Sequence, residues 1–209
     1  MEMPDVVLFA RRLDAALKKE QNKRKQFYKL VDEDRKAEFI NGEIYFESPA
    51  KYWHTQIIAN LSMLMLAFVR ANQLGTIATE KLLVSLSRND YEPDLCFFKN
   101  EKAITFKKKQ MQFPAPDLVV EVLSESTERR DRGIKFDDYA AHGVSEYWII
   151  DPETEFIEQY ELSNERYELI LKAREEVIES IAIKGFSIPI RAVFDEGLTH
   201  ETLKALIVG

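Results

Sequence analysis

The spacing of apolar residues near the start of the chain predicts a long helix followed by a hairpin. Between residues 6 and 31, apolar side chains recur at helical spacing and form one stripe: Leu8, Phe9, Leu13 and Leu17. The stripe fades in the segment KKEQNKRK, so we expect this helix to extend as an arm that needs a partner surface. In EFINGEIYF, Asn41-Gly42 lies between two strand-like runs, which is a strong signal for a β-hairpin.

Downstream of the hairpin, the pattern predicts helices alternating with strands. A largely apolar run predicts a helix over residues 54–72, and residues 130–142 predict another helix, which Gly143 ends. The strand-like runs are TIATEKLLVSLS, EPDLCFF, PDLVVEVLS and SEYWIID. A hairpin of EFIEQYEL and RYELILK, a strand EVIESIAI and a helix over residues 199–207 complete the prediction. This order favours an α/β core with an appended antiparallel sheet.

The composition is that of an ordinary globular protein. The 209 residues suit one domain with an added arm, and 45% hydrophobic residues are enough for a substantial core. The single cysteine, Cys96, excludes an internal disulfide framework and an all-cysteine zinc site. Neither a signal peptide nor an apolar run of about 20 residues is visible, so we expect a cytoplasmic protein without a membrane segment.

The charge distribution is uneven. A net charge of -7 argues against a general nucleic-acid binder, because such proteins bind phosphates mainly through Lys and Arg. Between Arg11 and Lys36, however, ten Lys/Arg stand against five Asp/Glu, and a second basic run extends from Lys99 to Lys109. Solvated surfaces are the simplest interpretation of both runs. Phosphate contacts by the second run and by the segment 129–132 are the alternative.

A carboxylate lies inside an apolar strand. In FPAPDLVVEVLSEST, Glu121 is surrounded by valine and leucine, and an unpaired buried carboxylate would cost several kcal/mol. We therefore expect a cation beside it: a salt-bridge partner, a metal ion or both. The strand that contains Glu121 begins with a proline followed by an aspartate, and the strand EPDLCFF begins with the same pair, in which the aspartate is Asp94. The separation of 27 residues allows two adjacent strands, whose two carboxylates would form a seat for Mg²⁺.

The helix that follows Glu121 provides the amine. Lys135 lies at the border of the apolar face of this helix, from which its ammonium can extend along the sheet towards Glu121. In a metal-dependent hydrolase, such a lysine orients or activates the attacking water and neutralises developing charge. The alternative is purely structural: a buried Glu121–Lys135 salt bridge, with Asp94 capping a turn.

These motifs resemble the Uma2 family, also called DUF820, of the PD-(D/E)XK restriction-endonuclease-like superfamily. The resemblance spans residues 27–190 and rests on EFINGEI, EPDLCFF, PDLVVEVLSEST and RDRGIKFDDYAAHGVSEYWIIDP. It implies a mixed central sheet flanked by helices and an endonuclease that cleaves DNA with Mg²⁺, for which Mn²⁺ can substitute. The matching positions make Asp94, Glu121 and Glu38 the metal-binding acids and Lys135 the catalytic lysine. The usual lysine position, two residues after Glu121, holds Leu123.

Three further expectations complete the interpretation. The chain is divided into an N-terminal helical arm, residues 1–26, and a restriction-endonuclease-like domain, residues 27–209. A homodimer is expected, because cutting both strands needs two sites and the arm offers an apolar stripe. Two rivals remain open: a non-catalytic nucleic-acid or protein-binding module on the same fold, and a glycosidase with carboxyls ~5–9.5 Å apart and no lysine between them.

Overall fold

The computed structural model describes residues 5–31 and 36–208. The helices of this part are α1 (Val6–Leu30), α2 (Tyr52–Ala71), α3 (Asn100–Ala103), α4 (Glu128–Asp131), α5 (Ile134–Ala141), α6 (Arg191–Phe194) and α7 (Glu196–Val208). The strands are β1 (Ala37–Ile40), β2 (Glu43–Phe46), β3 (Gly75–Thr79), β4 (Leu83–Ser85), β5 (Asp90–Tyr91), β6 (Leu95–Lys99), β7 (Gln112–Phe113), β8 (Leu118–Val122), β9 (Glu146–Asp151), β10 (Phe156–Ser163), β11 (Arg166–Ala173), β12 (Val177–Glu179) and β13 (Ser187–Pro189).

A mixed six-stranded sheet forms the centre of the fold, in the order β11-β10-β9-β8-β6-β3. Strands β8 and β9 are parallel, and the other neighbouring pairs are antiparallel. The mixed sheet flanked by helices confirms the predicted fold class. The C-terminal hairpin differs in one respect, because β10 pairs with β9 and so extends the central sheet instead of forming a separate one.

The buried strand β8 explains where the site forms. Its side chains alternate between the two faces of the sheet, so Val120 packs in the core with α2 while Val119 packs in the core with α5. All five residues of β8 are buried, which accounts for its near-continuous apolar sequence. By the same alternation, Glu121 shares the face of Val119 and is directed towards α5.

A second sheet, in the order β2-β1-β5-β4-β7, carries the predicted hairpin. Strands β1 and β2 are antiparallel, and both turn residues have positive φ: 51° at Asn41 and 82° at Gly42. This is the backbone of a type I′ turn, as the Asn-Gly pair predicts. Phe27 of α1 packs against Phe39 of β1, so the end of α1 covers this sheet.

Two elements depart from the sequence prediction. The helix predicted over residues 130–142 is interrupted at Arg132 and Gly133, which separate α4 from α5. The strand predicted for EVIESIAI keeps only β12, paired with β13. The chain turns after Glu179 because the Ser180 hydroxyl and the Ala182 N–H both donate to the buried carboxylate of Glu146.

The N-terminal helix has two different halves. Residues 5–19 are exposed, whereas the second half is anchored by the pairs Glu20–Arg88, Lys23–Glu43 and Arg24–Asp90. The arm is therefore helical as predicted, but its contacts with the remaining chain begin near residue 20. The proposed division at residues 26 and 27 stays a prediction. None of the helices within the described ranges has the length and apolar character needed to span a membrane.

Candidate active site

Asp94 and Glu121 meet at one end of two adjacent strands. Strands β6 and β8 are antiparallel with Leu95 opposite Val120, so the next position places Asp94 opposite Glu121. The Val122 N–H donates to Asp94 Oδ2 at 2.8 Å, which fixes the aspartate against β8. The predicted adjacency of these two strands is thus confirmed.

Lys135 reaches the same point from α5. Its Nζ lies 3.2 Å from Glu121 Oε1, 2.8 Å from Glu38 Oε1 and 3.0 Å from Asp131 Oδ1. The side chain is only 1% exposed, so three carboxylates surround an ammonium group that is largely covered by protein. The structure therefore brings together Glu121, Lys135 and Glu38, as the sequence predicts, and adds Asp131 to them.

A second lysine binds Asp94. Lys36 Nζ lies 2.9 Å from Asp94 Oδ1 and 3.2 Å from Glu47 Oε2, and His54 Nε2 lies 3.4 Å from the same Asp94 oxygen. Sequence reasoning missed Lys36 and Glu47. The hairpin register could have found them, because Glu38 pairs with Tyr45 and the next same-face pair outward is Lys36 and Glu47.

Glu38 lies behind Lys135 and does not line the open cleft described below. It is fully buried, and its Oε1 accepts the Glu92 N–H at 3.2 Å as well as contacting Lys135. Among the described residues its buried Oε2 has no hydrogen-bond partner, and Arg130 Nε lies 3.9 Å from it. Glu38 is thus placed to hold the ammonium of Lys135 in position.

Burial and charge separate the pKa values of the two strand carboxyls. Burial raises the pKa of Glu121 well above its ordinary value, against the opposing effect of Lys135. Burial alone would also raise the pKa of Asp94, but Lys36 and His54 outweigh it and hold that pKa below its ordinary range. For Lys135, burial lowers the pKa, and the surrounding carboxylates Asp131, Glu121 and Glu38 raise it well above its ordinary value. Asp94 is therefore the stronger acid of the two strand carboxyls.

An open cleft of about 690 Å³ leads to these groups, and Asp94, Glu121 and Lys135 are among its lining residues. Among the residues that the structure describes, the lining is strongly acidic, with eight Asp/Glu against three Lys: Glu47, Glu80, Asp94, Glu121, Glu125, Glu128, Asp151 and Glu153 against Lys36, Lys51 and Lys135. This excess of negative charge is expected to attract cations from solution.

The donor set is suited to a hard divalent cation. Among the described residues, no three His, Cys, Asp or Glu side chains form a ligand cage. Mg²⁺ does not need one, since it commonly uses one or two carboxylates and takes its other ligands from water and substrate phosphates. Asp94 and Glu121 supply two carboxylates at the end of an acidic cleft. The residues present therefore fit such an ion.

Comparison with known proteins identifies the family. Residues 24–191 match the family model Uma2, which is described as "Putative restriction endonuclease". This chain belongs to the Uma2 family. A curated relative, the uncharacterized protein sll1609 of Synechocystis sp., is 30% identical over 137 residues, which is 65% of this chain and 77% of the relative.

The fold of this Uma2 protein is also found in a solved structure. The crystal structure of "a putative nuclease belonging to DUF820" from Anabaena variabilis matches with a TM-score of 0.71 and 18% sequence identity. The match covers 86% of this chain and 97% of the other. At this identity the likeness establishes the fold alone.

The two basic segments occupy different places in the Uma2 fold. Lys99 is the last residue of β6, and Asp94 immediately precedes the first residue of the same strand. At about 3.4 Å per residue, the loop 99–109 therefore begins about 17 Å along the strand from Asp94. This loop does not line the cleft, and phosphate contact by it stays a prediction. In the second segment, Arg132 is paired with Glu158 and Glu128, while Arg130 lies over the ring of Tyr45. Arg129 is exposed.

Proposed function

We propose that this protein is a metal-dependent endonuclease that hydrolyses DNA phosphodiester bonds. One observation carries the proposal: Asp94, Glu121 and Lys135 come together at the end of an open cleft in a restriction-endonuclease-like fold. Membership of the Uma2 family supports a nuclease activity. The metal requirement and the choice of DNA are the parts that we add.

Each residue has a definable task in this proposal. Asp94 and Glu121 would hold Mg²⁺, with Mn²⁺ able to substitute. The ion, when bound, supplies Lewis-acid stabilisation of charge on the phosphate oxygens. The ammonium of Lys135 adjoins Glu121 and is placed to orient the attacking water and to stabilise negative charge that develops on the phosphate.

The groups around these three residues keep the site prepared for reaction. Glu38 and Asp131 hold the ammonium of Lys135, so that its position does not depend on Glu121 alone. Lys36 favours the ionised form of Asp94, which is the form that binds a cation. Glu38 as a direct metal ligand stays a prediction, and its contact with Lys135 supports a positioning role.

The geometry argues against a glycosidase but is compatible with a non-catalytic binding module. A glycosidase would need two carboxyls without a lysine between them, but Lys135 contacts both Glu38 and Glu121. A non-catalytic module on the same fold could use the identical salt bridge for stability alone. Binding of a divalent cation separates this module from the enzyme, because a structural salt bridge does not need an ion.

Calorimetric titration with Mg²⁺ and with Mn²⁺ tests the proposal. Wild type should bind either ion weakly, and Asp94→Ala and Glu121→Gln should each lose that binding. Glu168→Gln, at an exposed position on the outer strand β11, is the matched control and should bind like wild type. Retained binding in both site variants would contradict the assignment of the ligands.

We also propose that the chain forms a homodimer through its arm. The apolar stripe is exposed, with Phe9 at 69% and Leu13 at 51%. Residues 5–31 carry eight Lys/Arg against three Asp/Glu, whereas residues 36–208 carry 20 against 29. The arm of one copy is thus complementary in charge to the remaining surface of another. The cytoplasmic location stays a prediction.

A further inference from the structure

Two aromatic rings at the cleft are not used by the proposed chemistry. Phe46 ends β2 and is 58% exposed, and Trp53, in the first turn of α2, is 39% exposed. Both line the cleft that leads to Asp94 and Glu121. Within the described ranges, neither ring packs against another aromatic ring, while Lys51 Nζ lies 5.4 Å from the centre of the Trp53 ring. Two exposed rings, one of them already beside the Lys51 ammonium, therefore lie on the route to the carboxylates.

The charge of the cleft limits how a nucleic acid can bind there. Double-stranded DNA is usually held by several Lys or Arg contacts to phosphates, and its affinity falls steeply with salt. Among the described residues only three lysines line the cleft, against eight carboxylates, and all three, Lys36, Lys51 and Lys135, already contact carboxylates. Phosphate contacts are therefore too few to supply most of the affinity.

Stacking supplies what the charges do not. A nucleobase stacked on an aromatic side chain is held through its ring face, and this contact needs no cationic residue. In an intact duplex the ring faces are covered by neighbouring bases, whereas unpaired bases expose them. The exposed rings of Phe46 and Trp53 thus match a strand whose bases are unpaired.

We propose that the cleft takes DNA with unpaired bases, which stack on Phe46 and Trp53 while the adjoining phosphate lies at Asp94, Glu121 and Lys135. This inference rests on the proposed nuclease function and specifies its substrate as single-stranded DNA or a single-stranded segment. Because the cleft is acidic, a divalent cation strengthens binding, and the salt dependence is shallow. Even if each of the three lining lysines neutralised one phosphate, log K against log salt would have a slope of about -2, so we expect a slope no steeper than this.

Fluorescence anisotropy with labelled DNA tests the substrate class. A 12-nucleotide single strand and the duplex of the same sequence are titrated with protein in Ca²⁺, and a gel verifies that the DNA is intact afterwards. The single strand should bind at least about 10-fold more tightly than the duplex. Equal or tighter duplex binding, or a salt slope as steep as about -4, would overturn the proposal.

Variants at the rim test the two rings. Trp53→Leu and Phe46→Leu should each weaken single-strand binding by about 10-fold, which is in the range of one lost base stack. Tyr52→Leu is the matched control, because Tyr52 is 79% exposed beside Trp53 but does not line the cleft. If the variants at Trp53 and Phe46 bind as Tyr52→Leu does, the stacking sites are wrong.

The two proposals fail in different ways. If the single strand binds through Trp53 but no DNA is cleaved with Mn²⁺, the nuclease function fails and the binding site stands. If cleavage depends on Asp94 and Glu121 but the protein binds duplex at least as well as single strand, the substrate class fails and the nuclease function stands.

Discussion

Replacing Lys135 with methionine removes the positive charge at the centre of the site. Methionine is similar in length, so the packing beside α5 is largely kept while the ammonium is lost. Three carboxylate oxygens, of Glu38, Glu121 and Asp131, then remain within a buried space without the cation that contacts all of them. The expected result is a large loss of stability as well as loss of DNA cleavage.

The structure sets the size of this loss. Removing one partner of a buried ion pair typically costs about 3–5 kcal/mol, because the other charge is left uncompensated. Lys135 is 1% exposed and Glu38 is fully buried, so water replaces the contact with Glu38 poorly. For a chain of this length, about 1 kcal/mol corresponds to about 2–4 °C in Tm, so Lys135→Met should melt about 6–20 °C below wild type.

Urea and thermal unfolding, followed by circular dichroism, provide the measurement. Lys204→Met, at an exposed position on α7, should unfold like wild type. The double variant Lys135→Met/Glu121→Gln should recover part of the lost stability, because it removes one of the uncompensated charges. If Lys135→Met were within about 1 kcal/mol of wild type, the ammonium would not be neutralising these carboxylates, and the electrostatic description of the site would be wrong.

Three other outcomes are expected. Burial raises the pKa of Glu92 to about 7, so the stabilisation from its protonation is complete below about pH 4.5 and is lost as the pH rises through 7. Glu92→Gln should therefore reduce the pH-dependent change in the free energy of unfolding over this range by about 2–3 kcal/mol, and an unchanged stability-versus-pH curve would contradict this prediction. Burial alone would raise the pKa of Glu158, but Arg132 and Lys172 lower it to about 2. The stabilisation that ionised Glu158 contributes is therefore present above about pH 4.5 and is lost as the pH falls towards 2. Glu158→Gln should remove this loss of stability in acid, which urea unfolding between pH 5 and pH 2 measures. Phe9→Glu should convert the proposed dimer to a monomer, as measured by sedimentation velocity. The control is Ile104→Glu, which is 85% exposed and far along the sequence from the arm, and it should leave the dimer intact. Equal sedimentation of the two variants would exclude the arm as the interface.

Local sequence signals predicted the elements that are determined by local chemistry. The Asn-Gly turn and the buried strand around Glu121 both follow from short patterns. Lys135 was placed correctly because helical spacing directs it to the face that packs on the sheet. In each case the decisive information lies within a few residues of the chain.

The remaining part of the site depends on contacts between distant segments. Lys36 and Glu47 flank the hairpin and meet Asp94 only because the second sheet is folded against the end of the central one. The early end of β12 depends on the buried carboxylate of Glu146, more than 30 positions earlier. The basic loop 99–109 has the composition of a phosphate-binding segment, but the direction of β6 places it away from the cleft. Only the tertiary structure contains this information.

Nicking of supercoiled plasmid DNA in Mn²⁺ tests most directly whether the cluster around Lys135 is a catalytic site. We expect wild type and the exposed control Glu168→Gln to convert supercoiled plasmid to nicked and linear forms, whereas Glu121→Gln, at a stability within about 1 kcal/mol of wild type, leaves it intact. EDTA should stop the reaction of wild type. Equal cleavage by wild type and Glu121→Gln from identically purified preparations would show that the nuclease activity does not come from this site.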